Sequence, residues 1–165
     1  MKTILAAAAL SMTAGAALAA AALAPAPAGA QKVLDLVGDG VQIYACGENA
    51  GKYEWAFKGP EANLYDASGR QVGTHFAGPT WKIEDSAITA EPVAKADAPR
   101  GGGIPWLLLK VKSHSGNGAL DTVGLVRRAD TKGGLAPKTG CDAAHSGATA
   151  RMHYTAAYQF FTAPK

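Results

Sequence analysis

Apolar residues in this chain recur at every second position, in short runs broken by glycine, and that pattern confines them to strands. Val41, Ile43 and Ala45 alternate with Gln42, Tyr44 and Cys46. Tyr53, Trp55 and Phe57 alternate with Glu54, Ala56 and Lys58, and Trp81 and Ile83 with Lys82 and Glu84. Leu107, Leu109 and Val111 share one face of a run, as do Tyr154, Ala156, Tyr158 and Phe160. Turn residues separate the runs at 66–69, 115–118 and 132–134, and Asn117-Gly118 is a pair favoured in type I′ hairpins. The pattern predicts an all-β domain, an antiparallel sandwich or closed barrel of about eight to ten strands. The stretch 91–103, with prolines and three closing glycines, reads as a long surface loop, and a second loop is expected over 131–150.

The first thirty residues obey a different rule. Lys2 precedes an Ala- and Leu-rich run from Ile4 to Leu23, and Ala28-Gly29-Ala30 offers the small residues of a signal-peptidase site. Residues 1–30 are therefore expected to be a signal peptide, with residues 31–165 forming one exported domain, periplasmic or extracellular. Pro25 and Pro27 favour cleavage over a transmembrane anchor, and no membrane span is expected in the mature chain. Loss of Lys2 lowers the formal charge from +3 to +2, and no basic run exceeds Arg127-Arg128, so nucleic acid is not an expected partner. In an oxidising compartment Cys46 and Cys141 most simply form one disulfide. No CxxC spacing suggests a zinc site or a thioredoxin-type centre.

Several segments carry a family resemblance. They are GVQIYAC at 40–46, PEANLYD at 60–66, VGTHFAGPTW at 72–81, IPWLLL at 104–109, TKGGLAPKTGC at 131–141 and YTAAY at 154–158. Together they resemble the DUF3455 domain of secreted bacterial and fungal proteins, whose function is uncharacterised. The resemblance spans essentially all of residues 31–165, in order. It departs at Asp85-Ser86-Ala87, where the family usually shows Asp-Gly-Ser, and at Met152-His153, where a Val-Pro pair is expected. It implies a single domain and the pairing of Cys46 with Cys141. Some fungal members are labelled malate dehydrogenase, but no glycine cluster here completes GxGxxG or opens a helix, so nicotinamide chemistry is rejected and no cofactor is expected.

The best candidate site is 73–81. His75 has Gly73 and Ala77 two residues away on its own strand face, which leaves room for a ligand or another backbone, and Gly78-Pro79 then delivers Trp81. Trp106 follows Pro105 and is the tryptophan placed best for a loop rim. A metal site would need His75 joined by some of His114, His145, His153, Glu84 or Asp85, and none has HxH or HExxH spacing, so no metal is expected. No GxSxG elbow or ordered triad appears, and Glu84-Asp85 resembles a solvated turn. Glu54 and Lys58 read as solvated surface.

The expected function is a non-catalytic ligand-binding or envelope-associated module, its site at His75, Trp81 and Trp106. Its partner would be an unknown small molecule, a glycan or an envelope component. Two alternatives stand beside it. One is a small hydrolase or isomerase using His75 with a carboxylate such as Glu84 or Asp85, and the other is a purely structural secreted protein.

Overall fold

The computed structural model describes residues 27–164, apart from the side chain of Arg100. The leader expected over 1–30 falls mostly outside them. Eight strands follow in order: β1 (Lys32–Asn49), β2 (Lys52–Tyr65), β3 (Gln71–Phe76), β4 (Thr80–Ile83), β5 (Ser86–Ala96), β6 (Trp106–Ser115), β7 (Val123–Gly133) and β8 (Thr149–Thr162). Each pairs antiparallel with the next, and β1 pairs with β8, so one sheet closes into an irregular ring. Closure removes the free edges that an open sheet would expose. His153 therefore lies within a doubly paired strand, exposed beside Asp39 at 2.7 Å.

The interior divides by end. Leu36, Leu64, Ile83, Ile88, Val123, Val126 and Phe160 fill one end. There the 116–122 connection folds inward and buries Leu120 completely. Asp121 holds that connection by accepting from Gly118 N (2.8 Å), while Ser86 Oγ accepts from Leu120 N (3.2 Å). This replaces the two-residue Asn117-Gly118 hairpin, because burying Leu120 requires a longer excursion. The tight hairpin occurs instead at Ala50-Gly51, where both residues have positive φ (50° and 79°).

Two loops expected from the sequence are shorter than predicted. The 91–103 stretch continues β5 as far as Ala96, because a register shift between Pro92 and Ala94 accommodates the proline in a paired strand. The 131–150 loop begins only after Gly133, where β7 ends, and finishes before β8 opens at Thr149. That loop carries Cys141, which is bonded to Cys46 near the end of β1 (S–S 2.01 Å, Cα–Cα 5.3 Å). Closing a loop of 95 residues contributes about 4–5 kcal/mol at most in the chain-entropy account.

A second apolar cluster lies on the outer face: Ala94, Ala96, Leu108, Leu125 and Phe161, with Ala30 packed against it. Among the described residues no helix is long and apolar enough to cross a membrane.

Candidate functional site

At the other end of the ring the side chains stop short of filling the interior. A cavity of about 450 Å³ remains, opening to solvent. Its walls come from all eight strands: Gln42 and Tyr44 on β1, Phe57 to Pro60 on β2, His75 on β3, Trp81 on β4, Pro92 and Lys95 on β5, Leu107 and Leu109 on β6, Arg128 on β7, and Tyr158 on β8. Most of this surface is apolar, with a few polar groups converging on it, as in small-molecule sites.

The inward face of β1 explains the space. Leu36, Gly38, Gly40, Gln42, Tyr44 and Cys46 share one phase of the alternation. A Cβ on Gly38 would stand 2.5 Å from the Tyr158 ring, and one on Gly40 would strike the β2 backbone at Glu61 and Ala62. The two glycines thus let Tyr158 lie across β1 and let β2 approach. Further along β1, the pairing with β2 shifts register between Ile43 and Tyr44, and there Phe57 and Lys58 stand exposed at the cavity. Tyr44 packs 5.6 Å from Phe57 and donates its hydroxyl to Gly134 O at 2.7 Å, which pins the Cys141 loop to the wall. The 102–104 segment is pinned too, with Ile104 N donating to Gly133 O (2.9 Å) and Thr131 Oγ1 to Ile104 O (2.5 Å).

An aromatic group forms the floor. His75 stacks on Trp81 with centroids 4.3 Å apart and 14° between planes, and Tyr158 meets both rings edge-on. His75 Nδ1 lies 2.8 Å from Thr80 O, and a carbonyl only accepts, so Nδ1 carries the proton and Nε2 the lone pair. Burial pushes the His75 pKa down to about 3; the Thr80 bond opposes this and Arg128 adds to it. The imidazole is therefore neutral at ordinary pH. Gly73 was expected to leave room for a ligand or another backbone, and it is the β4 backbone at Lys82 that approaches it.

Behind the aromatic floor runs a polar chain. Tyr158 and Tyr154 hydroxyls lie 3.0 Å apart, and burial raises the pKa of both. Arg128 sits close enough to Tyr158 to draw that pKa back down, and its Nε and Nη2 donate to Pro105 O at 3.2 and 2.9 Å. Gln42 lies beside Tyr154 and lowers its pKa, yet Gln42 Nε2 meets no acceptor at hydrogen-bond geometry among the described residues. Trp81 Nε1 meets none either.

Of the three residues singled out from sequence, the ring brings two together. His75 and Trp81 line the cavity and are 2% and 1% exposed. Trp106 lies on the other phase of β6 from Leu107 and Leu109, beneath the Arg127 guanidinium at 5.1 Å, and is not part of the lining. Glu84 and Asp85 form the exposed turn between β4 and β5, and neither partners His75. His114 bonds Val123 O and His145 bonds Asp142, each apart from His75. Among the described residues no cluster of three or more His, Cys, Asp or Glu is placed to hold a metal ion.

Sequence reasoning missed Arg128, Lys95 and Lys58 as cavity residues. One signal was available. In the apolar strand around VGLVRRAD at 123–130, adjacent arginines must point to opposite faces, so one of them enters the ring.

A single antiparallel sheet closed on itself, packed at one end and hollow at the other, defines a cup-like β-domain with an internal cavity. Over residues 27–162 the chain matches the family described as protein of unknown function (DUF3455), and it belongs to that family. Comparison with curated proteins and with solved structures returned no match.

Proposed function

We propose that this domain is a non-catalytic binder of a small, largely apolar molecule held inside the ring, and that it is exported. The observation that carries the reading is the cavity of about 450 Å³ in an otherwise packed interior, a size within the usual range for small-molecule sites. Its mostly apolar walls favour such a ligand over a glycan. The neutral, backbone-bonded His75, with no carboxylate beside it among the described residues, supports binding over acid–base chemistry, which needs a pKa nearer the working pH. The Cys46–Cys141 bridge supports an oxidising compartment, and the Ala- and Leu-rich run with its small-residue exit in residues 1–30 supports a leader.

The test uses phenylnaphthylamine, a neutral dye that fluoresces when it enters an apolar cavity. The oxidised protein should enhance its fluorescence saturably, and Leu107→Trp, which places an indole in the cavity, should abolish the enhancement while the protein stays folded. No saturable enhancement from the folded wild type would overturn the reading in favour of a purely structural domain.

A further inference from the structure

The charges around the cavity are sorted by face. Among the described residues, Arg128, Lys58 and Lys95 line it, and no Asp or Glu does. Acidic residues next in sequence to lining residues point elsewhere and are already paired. Glu61 follows Pro60 and bonds Arg151 at 3.0 Å, while Glu91 precedes Pro92 and bonds Lys112 at 3.2 Å. Among the described residues, Arg128, Lys58 and Lys95 have no carboxylate partner. Among the described residues, the charged side chains that line this cavity are thus cations, while the two neighbouring acids pair away from it.

Arg128 has a particular geometry. A guanidinium carries five N–H bonds, and the Nε and Nη2 donors that reach Pro105 O fix its plane. The adjoining edge has one hydrogen on Nη1 and one on Nη2, the parallel pair that fits the two oxygens of a carboxylate, and the Tyr158 hydroxyl hydrogen-bonds the same guanidinium. Arg128 is half-buried, where a charge without a counter-ion is costly and a ligand's anion is worth more than at an exposed lysine.

We infer that the ligand is an amphipathic carboxylate, its headgroup held by the Nη1–Nη2 edge of Arg128 beside the Tyr158 hydroxyl and its apolar body against Leu107, Leu109 and Phe57. Lys58 and Lys95 at the mouth draw the anion inward and dominate the salt dependence of its capture. This rests on the binding role proposed above.

Octanoate and octanol test it, because they share a chain and differ in charge. Each is titrated against protein preloaded with phenylnaphthylamine. Octanoate should displace the dye at roughly tenfold lower concentration than octanol, the margin expected of a charge-assisted contact. Arg128→Met should erase that margin by weakening octanoate alone, and Arg128→Lys, which keeps the charge without the fork, should restore part of it. Equal displacement by the two in the wild type would overturn the inference and leave the binding role standing. That result needs no variant to fold. A dye that never binds would overturn both.

Discussion

His75 shows how one buried side chain sets a pH dependence. Folded, it resists protonation down to about 3; unfolded, it takes a proton near 6.5. Between those values the unfolded state binds more protons, so stability falls as pH drops from about 6.5 toward 3 and gains nothing further above 6.5. The cost is about 1 kcal/mol per pH unit inside the window. His75→Asn keeps a donor where Nδ1 bonds Thr80 O but carries no titratable group. Urea midpoints should show the variant less stable than wild type at pH 7, with the gap narrowing by pH 5. A gap that stays constant would mean His75 titrates alike in both states.

Among the elements, β1 holds most of what the cavity needs. Gly40 and Gly47 lie on the same strand in opposite phases, and only Gly40 meets the β2 backbone when given a Cβ, since Gly47 has nothing within 4 Å. Gly40→Ala should cost about 2 kcal/mol or more by forcing the strands apart, whereas Gly47→Ala should cost nothing. Thermal melting of both variants checks it, and equal losses would contradict the close approach. The strands themselves were legible, because period-two alternation at Trp81-Ile83 or Tyr154–Phe160 has no other reading. The inward face of β1 was not. Val41 and Ile43 look like core, yet Gln42 and Tyr44 point in, because the ring needs polar groups and glycines where the cavity begins. Pro92 concealed the length of β5 for a similar reason: a bulge absorbs a residue that reads as a breaker.

For the whole molecule, closure does what no local sequence signal announces. His75 and Trp81 stood out because their neighbours are small and aromatic. Arg128, Lys58 and Lys95 lie far apart in sequence and converge only when β8 pairs with β1. Packing at the Leu120 end and the bridge at the Cys141 end hold the two mouths of the ring differently, one plugged and one open. On the proposed binding role, ligand enters the interior through the open end. Three indole N–H signals, from Trp55, Trp81 and Trp106, report on three locations in one nitrogen–proton spectrum. Trp55 donates to Thr139 O under the Cys141 loop, Trp106 lies on the outer face beneath Arg127, and Trp81 alone lines the cavity. Adding phenylnaphthylamine to labelled protein should shift the Trp81 signal and leave Trp106 in place. A shift at Trp106 with Trp81 unmoved would put the ligand outside the ring and contradict the account.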